Sequence, residues 1–291
     1  MNLFGIVAGV LAMVGWGASD FFAAKTSRKI GSFRALFWMS LITFILLLIS
    51  FLTSFYHEGY HQTSLNFVFF LALVGLLQDI GALCFYKSLA IGKVSLVSPI
   101  AGSWAVWTVI LSIIILKEKP TFIQLVGIFF IIMSVFFIST KIKELLKEMK
   151  FVFFNTGVKL AFLSSLMWGS SYVIYKPIID KISWLPSLTI LYCFIVFWLF
   201  LYSLLAKRTI SFKPNKSTIS LIFLISLTNI IAWFAYSFGL EKNLASIISP
   251  IASTFPLVTV FLARIFLKEK LVWNQILGIV EVILGLVFLS L

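Results

Sequence analysis

The chain has 291 residues, 61% of them hydrophobic and 11% charged, with 23 Lys and Arg against 10 Asp and Glu for a net charge of +13 and a mean hydropathy of +1.11. Soluble domains hold roughly 45–50% apolar and about 25% charged residues, so a water-soluble fold is excluded. Apolar runs of about 20 residues set end to end, without the alternation of a membrane barrel, indicate an all-α membrane protein whose extended partner is the lipid bilayer. The cations sit in the gaps between runs, which excludes a nucleic-acid footprint.

In chain order the runs predict ten transmembrane helices. The first, 3–24, has no basic leader and no small-residue cleavage site behind it, so a retained helix is expected rather than a signal peptide. The second, 33–53, is followed by His57–His61, HEGYH, which matches the zinc-protease pattern H-E-x-x-H. That chemistry needs both histidines on one helix face. Here the segment falls in a loop of about a dozen residues with Gly59 weakening any helix, and no third histidine exists, so a polar loop without metal is expected. The third and fourth spans are 66–88 and 94–116, and the fifth is 121–140. Residues 141–150, KIKELLKEMK, read as an amphipathic surface helix within a basic cytoplasmic linker, 141–155, between units 1–140 and 156–291. Spans six to ten follow at 156–176, 185–206, 217–239, 245–267 and 272–290. Cys84 and Cys193 lie inside apolar runs, so neither a disulfide framework nor a cysteine metal site is expected. No Walker pattern or other cofactor motif occurs.

Basic residues are retained on the cytoplasmic side. Placing gaps 1–2, 3–4, 5–6, 7–8 and 9–10 on one side gathers eighteen of the 23 Lys and Arg there, including Lys25, Arg28, Lys207 and Arg264. The other side keeps Lys117, Lys119, Lys176, Lys181 and Lys242. Both termini are therefore expected outside the cytoplasm of a cell-membrane protein.

The chain carries an internal copy of itself. WGAS at 16–19 returns as WGSS at 168–171, SPIA at 98–101 as SPIA at 249–252, and LKEK at 116–119 as LKEK at 267–270, with Gln124 and Gly127 answered by Gln275 and Gly278. Five spans per copy is an odd number, so the copies must cross the membrane in opposite senses. Inverted repeats of this kind build many secondary transporters. The paired motifs resemble the EamA-type family of the drug/metabolite transporter superfamily over essentially the whole chain. The resemblance implies two five-helix bundles around a central cavity built chiefly by helices one, three, four, six, eight and nine, with the fifth and tenth outside.

Within the motifs, Ser98 and Ser249 are expected as helix caps, with Pro99 and Pro250 at helix starts. LKEK is expected to end a helix on its lysines, with Glu118 in the first turn of the next. Pro256, near mid-span, should free the carbonyl of Ala252 and kink span nine. Gly5, Gly9, Ala161, Ser165 and Gly169 are expected at close helix contacts.

An ionised group at mid-span costs about 2.5–3.5 kcal/mol, so it normally faces a cavity or a partner. Asp79 and Tyr86 share one face of span three, and the repeat sets Asn229 and Tyr236 in the matching places of span eight, with Trp233 beside them. Span one aligns Trp16 with Asp20, and span six Trp168 with Tyr172. These nine residues are the expected substrate contacts. The competing readings are ion pairs of Asp79 with Lys87 and of Asp20 with Lys25 or Arg28. Asp79 and Glu281 are the proton-coupling candidates, though for Glu281 a structural role, pairing with Arg264 or a contact in a homodimer, is favoured. The expected function is secondary active transport of a small metabolite, an amino-acid-like solute or amphipathic amine, by alternating access. An intramembrane enzyme and a passive channel are the alternatives.

Overall fold

The computed structural model describes residues 3–58, 64–91, 100–139, 156–213, 215–267 and 272–290, and all regular structure within them is helical. The helices are α1 (Leu3–Ile30), α2 (Ser32–Glu58), α3 (Leu65–Ile91), α4 (Trp104–Ile114), α5 (Phe122–Ser139), α6 (Thr156–Ile182), α7 (Trp184–Leu205), α8 (Lys216–Lys242), α9 (Ala245–Ser253), α10 (Pro256–Leu267) and α11 (Trp273–Ser290). Eight described stretches are long and apolar enough to cross a membrane, with a shorter apolar helix at Ile100–Ile114. The linker 141–155, Ser98, Pro99, Lys268–Lys270 and Gly59–His61 lie outside the described residues.

Several helices outrun their apolar cores, because nothing in the sequence stops them. α2 continues through His57 and Glu58 rather than ending at 53, so HEGYH begins on a helix end and the expected long loop is shorter. α1 runs on to Ile30 and stops at Gly31, whose φ of +86° is costless only for glycine, and α2 starts one residue later.

Spans four and nine are not continuous. Short helical turns at 100–102 and 245–253 each break before the chain resumes as α4 and α10. At the first break the Ser103 hydroxyl donates to the Ile100 carbonyl at 2.7 Å; at the second the Thr254 hydroxyl donates to the Ile251 carbonyl at 2.7 Å. The backbone bonds match as well, Val106 N–H to Ser103 O at 3.0 Å and Leu257 N–H to Thr254 O at 2.9 Å. Two expectations for this region are corrected. Pro256 sits at the first position of α10, where its missing N–H is harmless, and the Ala252 carbonyl is not freed but accepts from Phe255 N–H at 3.3 Å. Ser249 and Pro250 do not open a helix, since α9 begins four residues earlier at Ala245.

What caps α9 is a residue from the other half of the chain. α4 ends with Lys117 in the left-handed region, φ +58°, and the Glu118 N–H returns to the Ser112 carbonyl at 3.2 Å. This turn aims the Glu118 carboxylate at the start of α9, where it accepts from the N–H groups of Ala245 at 2.8 Å and Ser246 at 2.9 Å. An anion on two orphan amides at the positive end of a helix is favourable on both counts. LKEK therefore holds a distant helix, not the first turn of the next one. Glu241 acts similarly between α6 and α7, accepting from the Ser183 hydroxyl at 3.1 Å and Trp184 N–H at 2.8 Å.

α1 packs antiparallel on α8: Gly5 faces Asn243, Gly15 faces Thr228 and Ala232, and Ser19 donates to the Ile225 carbonyl at 3.4 Å. α3 packs antiparallel on α6, with Gln78 against Ser171 and Gly81 against Trp168. α2 lies on α7, and α5 on α11 through Gly127, Gly278 and Gly285. The bundle thus has a Glu118 end, with Gly5 and Asn243, and a Gly31 end, where Lys29 donates to Ser217 at 2.7 Å and Trp38 to the Ile210 carbonyl at 2.9 Å.

Glu118→Gln puts an amide donor where the second backbone N–H needs an acceptor. It should cost about 1 kcal/mol, lowering the melting temperature of the solubilised protein by roughly 2–4 °C. Wild-type melting would show that the cap contributes nothing.

Candidate functional site

A cavity of about 400 Å³ lies between the halves, within the range of small-molecule sites. Its depth is set by which parts of each helix reach it. α1 contributes Trp16 and Asp20, α3 residues 78–86, α8 Asn229 and Trp233, and the second break Phe255, Pro256 and Thr259. Ser139 and Gln275 mark its outer reach, at the Gly31 end. The deepest lining residues, Trp16, Tyr172, Tyr192 and Trp233, stand near the middles of their helices, and no lining residue adjoins Gly5, Glu118, Ser183 or Asn243, which mark the Glu118 end. That end is sealed by a layer in which Tyr175, Tyr236 and Leu240 are fully buried.

Eight of the nine residues expected at the site line this cavity: Trp16, Asp20, Asp79 and Tyr86 from the first half, Trp168, Tyr172, Asn229 and Trp233 from the second. Tyr236 does not. It stands one layer behind, its ring 5.2 Å from Trp16 and 4.9 Å from Tyr172, with its hydroxyl 2.8 Å from that of Ser249. The helical stripe through Asn229 and Trp233 continues away from the mouth, so Tyr236 has the right direction at the wrong depth.

Asp79 is only 5% exposed, and its Oδ2 has no hydrogen-bond partner. Among the described residues neither it nor Asp20 forms an ion pair, so the pairings with Lys87, Lys25 and Arg28 are not made. Lys25 instead lies over the rings of Phe21 and Phe266, at 4.3 and 5.7 Å. Asn229 donates to the Tyr192 hydroxyl at 2.7 Å and to Thr43 at 3.3 Å. The Gln78 side-chain amide donates to Ser171 at 2.8 Å, and the Gln78 backbone carbonyl accepts from the Trp168 indole at 3.2 Å.

Tyr192, Gln78, Ser40 and Trp104 also line the cavity and were not among the expected residues. Ser40 and Tyr192 bring α2 and α7 into a wall that the family resemblance drew from six other helices. Their one signal in the sequence is a polar atom within an apolar run, weaker than a charge. Glu281 is on α11, outside the lining, half-buried, with one buried carboxylate oxygen lacking a hydrogen bond; it does not pair with Arg264 among the described residues.

The tryptophan–glycine motifs explain how the halves meet. A Cβ on Gly17 would lie 2.5 Å from the carbonyl oxygen of Phe255, and one on Gly169 2.5 Å from that of Trp104. One turn beyond each break, a threonine donates back to the same glycine: Thr259 to the Gly17 carbonyl at 3.0 Å and Thr108 to the Gly169 carbonyl at 3.2 Å. Each broken helix is therefore pressed on a glycine of the opposite half.

The EamA-like transporter family matches this chain over residues 3–140 and 155–291. The chain belongs to that family. Its members are membrane transporters, so this helical bundle is an integral membrane protein of the drug/metabolite transporter type. A curated relative, "Uncharacterized protein MJ1333.1" of Methanocaldococcus jannaschii, is 30% identical over 142 residues, which make up 47% of this chain and 98% of that protein. A solved crystal structure superposes with a TM-score of 0.79 over 99% of this chain and 98% of its own, at 12% identity, and speaks to the fold alone.

Gly17→Val and Gly169→Val should each destabilise by about 1–3 kcal/mol or more, because the obstacle is backbone and has nowhere to move. Thermal unfolding in detergent reads this directly. A wild-type melting curve for either variant would remove the glycine contacts from the account.

Proposed function

We propose that the protein is a secondary active transporter that carries a small amine or amino-acid-like metabolite across the cell membrane by alternating access. The observation that carries this is a cavity reaching only one end of the bundle, with the unpaired Asp79 carboxylate at its depth. A pore would need an opening at both ends.

The helix directions support two inverted five-helix units. Toward the cavity mouth, residue numbers rise along α1 and α3, from Trp16 to Asp20 and from Asp79 to Tyr86. They fall along the repeat mates α6 and α8, from Tyr172 to Trp168 and from Trp233 to Asn229. The paired breaks and paired glycine contacts favour the same twofold relation, as does a separate relative of half this chain's length. A pseudo-twofold of this kind lets the halves exchange roles, closing the mouth and parting the Glu118 end. The excess of basic residues at the Gly31 end favours placing the mouth in the cytoplasm and both termini outside. In each cycle the Glu118 and Glu241 caps would have to yield.

A lone carboxylate at membrane depth holds a proton or a cation, whichever is supplied. Asp79 would thereby exchange one for the other. Glu281, away from the cavity, suits a contact in a homodimer better than a place on the substrate path.

Asp79→Asn keeps the shape and removes the charge. In proteoliposomes with an imposed proton gradient, amine uptake should fall at least about tenfold, the loss expected for one charged contact, and the residual uptake should no longer depend on pH. Unaltered uptake with an unaltered pH profile would defeat the assignment.

A further inference from the structure

We infer that, of the solutes this site could take, the cavity is built for an amine with two positive charges, an α,ω-diammonium compound, rather than for a monocation. The inference rests on the reading of this cavity as the substrate site.

Two carboxylates face one small volume. Asp79 is almost completely buried with an unbonded oxygen, while Asp20 is exposed to the cavity. Among the described residues no Lys, Arg or His lines that volume. Three described cations at the Gly31 end are engaged elsewhere: Lys25 on two phenyl rings, Lys29 on Ser217, and Arg34 on the carbonyls of Ile30 and Thr209. No described residue supplies a counter-charge at either acid, which favours an occupant that brings it.

The acids are also separated. Asp20 lies one helical turn from Trp16, roughly 6 Å along the axis toward the mouth. Asp79 lies at mid-bundle, next to Gln78, whose carbonyl holds the Trp168 indole. Trp16, Tyr86, Trp168 and Tyr172 line the same cavity. A methylene chain lying along these rings, with one ammonium on each carboxylate, suits that lining, and the rings add cation–π attraction.

The test is calorimetric titration of the full-length protein in nanodiscs with butane-, pentane- and hexane-diamine and with the monoamines of equal length. The best diamine should bind at least about tenfold tighter than its monoamine, the value of one added charged contact. Asp20→Asn and Asp79→Asn should each cut that advantage below about threefold, and Asp20→Glu should keep it while shifting the preferred chain length. Equal binding of diamines and monoamines by the wild type, or an advantage that survives both Asn variants, overturns the inference. If monoamines are transported without any diamine advantage, the dication falls and the transporter stands. If diamines bind as expected but are never accumulated by vesicles, the binding inference stands and the transporter reading fails.

Discussion

Inside a bilayer no water is available to satisfy a backbone group that leaves its helix, so every interruption of a spanning helix must be covered by protein. Two of the described spans are interrupted, at Ser103 and at Thr254, and each break is handled in the same way. A hydroxyl bonds back to the preceding turn, the carbonyl beside the break accepts within its own helix, and a glycine of the opposite half packs on it so closely that no side chain fits between. The breaks turn Trp104 and Phe255 toward the axis and leave room there for a cavity. A side chain at either glycine would push the broken helix away from the opposite half.

The two ends of the bundle are then made differently. At the Glu118 end, carboxylates from one helix sit on the N-termini of others, and the tyrosines and leucine behind them form a closed layer. Toward the Gly31 end the cavity holds Asp20 and Asp79, which form no ion pair among the described residues. Hydrogen bonds of a few kcal/mol or less hold the closed end, which would suit the proposed transport cycle better than a continuous apolar core.

Much of this was legible in the residues because lipid imposes a simple rule on hydropathy. The spans and their order follow from it, and the offset of about 150 residues between WGAS and WGSS announces the duplication. Asp20 and Asp79 stand out since a charge at membrane depth demands a reason. The meaning of SPIA and LKEK was not legible: the partner of Glu118 is the start of α9, 127 residues away in sequence, and local capping rules look only at neighbours. Depth was hidden as well. A helical stripe fixes direction around the axis, so Tyr236 seemed to join Asn229 and Trp233, whereas it lies in the sealed layer. Tyr192 and Ser40 carry no charge and match no motif, and only tertiary packing brings them to the wall.

The central claim is that the sealed Glu118 end parts during function while the glycine clasps hold. Ser237 is fully buried in that layer. In a background lacking Cys84 and Cys193, Ser237→Cys should react slowly but completely with a membrane-impermeant thiol reagent supplied from the Glu118 side. A disulfide between Gly5→Cys and Asn243→Cys, whose positions abut at that end, should abolish the labelling until it is reduced. No labelling in the unlinked protein, or equal labelling with the disulfide in place, would contradict the account.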